Sequence, residues 1–152
     1  AELAAHFRQS GQTNELARIY GTRVDRDVAT TTDKSLYAYY SLLTNTNLSR
    51  AHSLAQQAYN AAPDVPIHAK TYALSLYKQS RPADAWSAIE KLIAVGETGP
   101  AQLTLLRAAI TLEQGQGAEA GKYLENFDPS SALPEEVALA DSLAKTIAAK
   151  NS

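Results

Sequence analysis

The chain has no cysteine and no methionine. Without cysteine, disulfide frameworks and thiolate metal sites are excluded, and the redox compartment is left open. Glycine and proline number only 7 and 6, too few for long coil regions. No apolar run approaches the roughly 20 residues of a membrane-spanning helix, so no membrane insertion is expected. An excess of one charge is also missing: 14 Lys and Arg stand against 16 Asp and Glu, a net charge of −2 at pH 7. The basic residues are scattered without a block, so they read as solvated faces, and nucleic acid is not an expected partner.

Signatures of chemistry are missing as well. No G-x-S-x-G elbow, phosphate loop or G-x-G-x-x-G turn occurs. The three histidines, His6, His52 and His68, lie at no metal-binding spacing, with no acidic ligand beside them. They read as packing or solvent-edge residues. Glu135 and Glu136 resemble an acid/base pair only superficially, because the first turn after Pro134 favours acidic side chains. Tyr37, Tyr39 and Tyr40 have the chemistry to stack bases, but their helical spacing reads as core. Asn47-Leu48-Ser49 matches a glycosylation sequon, relevant only to a chain secreted from a eukaryotic cell. No cofactor, metal or enzymatic activity is expected.

What remains is helix. Apolar residues recur at helical spacing and strand alternation is absent. Nine helices are predicted: 1–10, 13–24, 34–44, 48–61, 67–79, 82–93, 103–114, 118–127 and 134–150. Thr13 and Asn47 are the expected N-caps. Residues 25–32 read as a connector, and Gly96 to Pro100 as a break. Helix 34–44 is apolar on almost every side, as a helix packed on two faces must be. The last helix carries one apolar stripe, Val137, Leu139, Leu143 and Ile147, with Asp141, Lys145 and Lys150 opposite.

A longer period is superimposed. Ala51, Ala85 and Ala120 are spaced 34 and 35 apart, and Ala38, Ala73 and Ala108 precede them by 13, 12 and 12. Two small residues per period of about 34 signal stacked helical hairpins. Together with Leu54-Ala55-Gln56-Gln57-Ala58-Tyr59-Asn60-Ala61-Ala62-Pro63-Asp64, Tyr72-Ala73, Ile89, Gly115, Leu124 and Phe127, the pattern resembles tetratricopeptide repeats (TPR). It departs where the family carries tryptophan early in the first helix: Lys34, Ala69 and Thr104 stand there, and Trp86 lies in a second helix. Arg107 also replaces an apolar residue.

The resemblance implies an all-α solenoid of antiparallel hairpins, a TPR-like right-handed superhelix. One domain would span 1–152: a degenerate hairpin (1–24), repeats at 33–64, 67–98 and 101–128, and a C-terminal capping helix at 134–150. Because the first repeat is incomplete, a start at Ala1 is expected to be a cut within a longer protein. The first helices of the repeats would line a concave peptide groove, formed by Ser35, Tyr39, Leu42, Leu43, Lys70, Leu74, Tyr77, Lys78, Leu105, Ala109, Leu112 and Glu113. The carboxylate-gripping subclass is not expected, since only Lys70 fits its basic set. The implied function is a scaffold for another protein or peptide segment; the alternatives are a structural or self-associating segment of a longer array, and a segment that serves a catalytic domain elsewhere in the full protein.

The period makes Ala73 and Ala85 close-approach positions. Ala73→Trp or Ala85→Trp is expected to cost at least ~1–3 kcal/mol by overpacking. Thermal denaturation checks this, and an unchanged midpoint contradicts the register.

Overall fold

A computed structural model describes residues 2–94 and 101–151. Among the described residues there is no strand. The helices are α1 (Glu2–Gln9), α2 (Thr13–Asp25), α3 (Thr31–Thr44), α4 (Leu48–Ala61), α5 (Pro66–Lys78), α6 (Pro82–Ala94), α7 (Ala101–Glu113), α8 (Gly117–Glu125) and α9 (Pro134–Lys150). A 3-10 turn at Pro129–Ser131 lies between α8 and α9. The predicted break at 96–100 lies outside the described residues.

Successive helices pack on one another: α2 on α3, α3 on α4, α5 on α6, and α7 on α8. The short turns between them make each helix double back on its predecessor. α3, α5 and α7 lie side by side, and α9 packs on α7 and α8 while touching α3. Ala38, Ala51, Ala73, Ala85, Ala108 and Ala120 are all completely buried. A methyl group at each contact lets neighbouring helices approach closely, and larger side chains such as Leu42, Leu76, Ile89 and Ile110 fill the space beside them. Gly21 does the same for α2, since a Cβ there would stand 3.0 Å from the Tyr37 ring.

α3 is the most enclosed of the early helices, with Asp33, Ser35, Ser41 and the run Tyr37 to Leu43 buried. It starts three residues before the sequence pattern suggests. The connector residue Thr30 is its N-cap: the Thr30 hydroxyl accepts the Asp33 N–H at 3.1 Å, and the Asp33 carboxylate accepts the Thr30 N–H at 2.9 Å. This reciprocal box satisfies two backbone donors and fixes the start of the helix. Arg23 adds an ion pair to Asp33 at 2.9 Å. Burial opposes the charge on Asp33, but the bonds from Thr30 and Arg23 together outweigh it and hold the carboxyl below its ordinary range.

The two predicted caps fare differently. Asn47 occupies the N-cap position of α4 in a left-handed conformation, φ 48°, but its side chain makes no capping bond. Its value is conformational, because asparagine tolerates that region. Thr13 is the first residue of α2 rather than its cap, and its hydroxyl is directed elsewhere, as described below.

Thr30→Ala is expected to lower stability by about 1 kcal/mol, measured by urea denaturation at neutral pH. Because the pKa of Asp33 is depressed by folding, its contribution is present above the unfolded value near ~3.9 and is lost as pH falls through the folded value. The difference between wild type and variant should therefore shrink in acid. A constant difference would show that the box is not the source.

Candidate functional site: the face beneath the last helix

The shared face of α3, α5 and α7 is the candidate site, and α9 lies on part of it. Leu133-Pro134-Glu135-Glu136 sets the start of α9. Pro134 suits the first helical position, where no N–H is needed. Glu136 lies one turn in, and its Oε1 accepts the Leu133 N–H at 2.7 Å. This is the acidic half of a capping box. Its other oxygen accepts the Tyr39 hydroxyl at 2.5 Å. Both partners are buried, Glu136 being only 1% exposed.

Glu135 and Pro134 make contacts of their own. Glu135 Oε2 accepts the Thr13 hydroxyl at 2.5 Å. Pro134 rests on Gly11, which turns the chain between α1 and α2 at φ 69°. A Cβ on Gly11 would stand 3.1 Å from Pro134 Cγ. Glycine therefore satisfies both the backbone conformation and the close approach. Three consecutive residues of α9 are thus seated on the α1–α2 turn, on α2 and on α3. Farther along, Ala140 and Leu143 are buried in one cluster with Leu105, Ala109 and Leu112, with Tyr77 and Ile147 at its edge.

The electrostatics follow from this burial. The Tyr39 hydroxyl is pushed well above its ordinary pKa, first by burial, then by the charge of Glu136 and the hydrogen bond to it. Burial also raises Tyr40, against the opposing influence of Arg8, whose Nη1 donates to the Tyr40 hydroxyl at 3.4 Å. Tyr77 is raised by burial and by Glu113. Lys78 is exposed as a residue, but neighbouring atoms partly desolvate its ammonium and lower its pKa, and the ammonium donates to Asn45 Oδ1 at 2.8 Å.

The residues predicted to line an open groove are mostly enclosed. Ser35, Tyr39, Leu42, Leu43, Lys70, Leu74, Leu105, Ala109 and Leu112 are buried. Tyr77 is half-buried, and Lys78 and Glu113 are exposed. α9 covers the α7 positions and clamps Tyr39, while Leu42 and Leu74 belong to the main core. Ser35 serves as a small residue, fully buried, its hydroxyl unpaired among the described residues.

Two recesses flank the covered area. One, about 440 Å³, is lined by Arg8, Leu36, Tyr39, Tyr40, Ile67 and Lys70 near the first turns of α3 and α5. The other, about 500 Å³, lies beside the second half of α9 and is lined by Tyr77, Lys78, Glu113, Leu139, Thr146 and Lys150, among others. Arg8 and Ile67 were not singled out by sequence reasoning. Their placement depends on how α1 and α5 meet α3, and no local pattern reports that.

His52 and His68 are engaged in packing, and His6 is exposed. His52 Nδ1 lies 2.6 Å from Ser75 Oγ, and burial, with Lys78 second, holds its pKa below the ordinary value. His68 is buried with Nδ1 3.1 Å from the Ala62 carbonyl oxygen. Among the described residues, no group of three or more His, Asp or Glu side chains is placed to hold a metal ion. Nor is any helix among them long and apolar enough to cross a membrane.

A raised Tyr39 pKa means that folding favours the protonated phenol. That stabilisation is complete below about pH 10, the free-tyrosine value, and is lost as pH rises through the folded value. Tyr39→Phe is expected to lose less stability than wild type as pH rises above about 10, followed by denaturant midpoints. Equal slopes would contradict the assignment.

Comparison of the chain with family models, with curated proteins and with solved structures found no match.

Proposed function

We propose that this chain is a non-catalytic, TPR-like helical-repeat module that binds a segment of another protein on the face shared by α3, α5 and α7. In this reading the helix pairs form a right-handed superhelix, and α9 serves as its closing helix. The six buried alanines and the side-by-side order of α3, α5 and α7 support that arrangement.

The observation that carries the binding assignment is the recess near the first turns of α3 and α5. Its volume, about 440 Å³, is in the range of binding pockets, roughly 300–1,000 Å³. Leu36 and Ile67 supply apolar contact, Arg8 and Lys70 are cationic, and Tyr40 presents a hydroxyl. Such a surface fits an acidic segment carrying an aliphatic or aromatic anchor. A second reading, self-association at the N-terminal edge, is favoured by α1: it buries none of its described residues, and Leu3 is 55% exposed.

Selection of peptides from a displayed random library against the folded chain tests the first reading. Acidic peptides with one large apolar residue are expected. Their affinity should fall at least tenfold in Arg8→Glu and in Ile67→Asp, with the melting temperature unchanged. Recovery of no binder, or of binders indifferent to both substitutions, would contradict it. Concentration-dependent dimers abolished by Leu3→Glu would support self-association instead.

A further inference from the structure

α9 is attached to the rest of the chain unlike the other long helices. Of its 17 residues, only Glu136, Ala140 and Leu143 are buried, whereas α5, with 13 residues, buries eight. Its fixed points are concentrated in the first turn: Pro134 on Gly11, Glu135 on Thr13 and Glu136 on Tyr39. The second half is looser. The 500 Å³ recess lies alongside it, and the short polar side chains of Ser142 and Thr146 face that recess. A helix that buries three of its residues and is held at its start by two hydroxyl–carboxylate bonds opens at lower free energy than the core around it. On release the carboxylates and hydroxyls return to water, which offsets part of what each bond contributes.

We infer that the seat of α9 is a helix-recognition site, and that α9 is its internal occupant, displaced by a helix of another protein. This deepens the binding function proposed above and rests on it. The chemistry of the seat defines the partner. Its first turn carries two adjacent carboxylates, one for the Thr13 hydroxyl and one for the Tyr39 hydroxyl. A small residue and a leucine follow at the spacing of Ala140 and Leu143 from Glu136. Where α9 has Ser142 and Thr146, the partner carries larger aliphatic side chains that fill the recess beside Tyr77. α9 lowers the apparent affinity of such a partner by the fraction of molecules in which the seat is open. Site and inhibitor are therefore encoded in one chain.

The test uses the whole chain and a labelled peptide of residues 132–150. Three receptors are compared: wild type, the double variant Glu135→Ala, Glu136→Ala, which loosens the internal helix, and that double variant with Tyr39→Phe added. The peptide is expected to bind the loosened chain at least tenfold more tightly than wild type. Adding Tyr39→Phe to the receptor, or Glu136→Ala to the peptide, should remove most of that gain. A peptide with Ser142→Leu and Thr146→Leu should bind more tightly than the native peptide.

Equal binding to loosened and wild-type chains would overturn the inference. So would loss of cooperative unfolding in the loosened chain, which would make α9 an inseparable part of the core. Concentration-dependent dimers of the loosened chain would assign the seat to a second copy and overturn the assignment to a different protein. If acidic peptides still bind the Arg8 and Ile67 recess while the α9 peptide does not bind, only this inference fails.

Discussion

Glu136 places a carboxylate in the interior of an all-helical chain, and the position of the last helix follows from how that carboxylate is satisfied. One oxygen accepts the Leu133 N–H and so starts α9; the other accepts the Tyr39 hydroxyl and so fixes where α9 lies. An unpaired buried carboxylate costs several kcal/mol, and hydrogen bonds to a charged group each return about 1.5–3 kcal/mol. Only one register of α9 meets that condition. Sliding the helix by one turn, about 5.4 Å, would move the carboxylate away from its phenol. The apolar contacts of Ala140 and Leu143 are less selective, because one small aliphatic side chain fits much like another. The polar pair therefore chooses the register, and the apolar pair adds stability once it is chosen.

This closure joins parts of the chain that are far apart in sequence. Thr13 and Glu135 are 122 residues apart, and Tyr39 and Glu136 are 97 apart. The rest of the molecule relies on local pairing of neighbouring helices, with alanines setting the approach distance. Two modes of construction thus coexist. Neighbour-to-neighbour packing builds the helical array, and two long-range polar contacts tie its end to its beginning. The face beneath α9 is where the two modes meet, and the functional proposals centre there.

Much of the array is legible in the sequence, because helix periodicity and small-residue spacing are local properties. The six alanines that repeat near 34 residues are all fully buried. Pro82 opens α6 as expected, where a missing N–H is no cost, and Pro66 opens α5 one residue before the predicted start. The start of α3 was obscured because Thr30 and Asp33 lie in a polar, β-branched stretch that resembles coil; the box they form uses side chains three apart and leaves no apolar trace. The covered face was obscured for a different reason. Periodicity states which side of a helix is apolar, but not which element comes to lie on it. One signal was present: Glu136 heads the stripe continued by Ala140, Leu143 and Ile147, a carboxylate in line with the buried side. Reading it as a dipole-compensating surface charge accounted for the capping but not for the partner on α3.

The central claim is that Tyr39 and Glu136 act as one unit across the chain. A double-mutant cycle with Tyr39→Phe, Glu136→Gln and the combined variant, read by equilibrium unfolding at neutral pH, measures that coupling directly. The account predicts an interaction energy of about 1 kcal/mol or more, within the range found for contacting pairs. Additivity to within about 0.3–0.5 kcal/mol would mean that α9 is held by other means, and the account of its seat would be wrong.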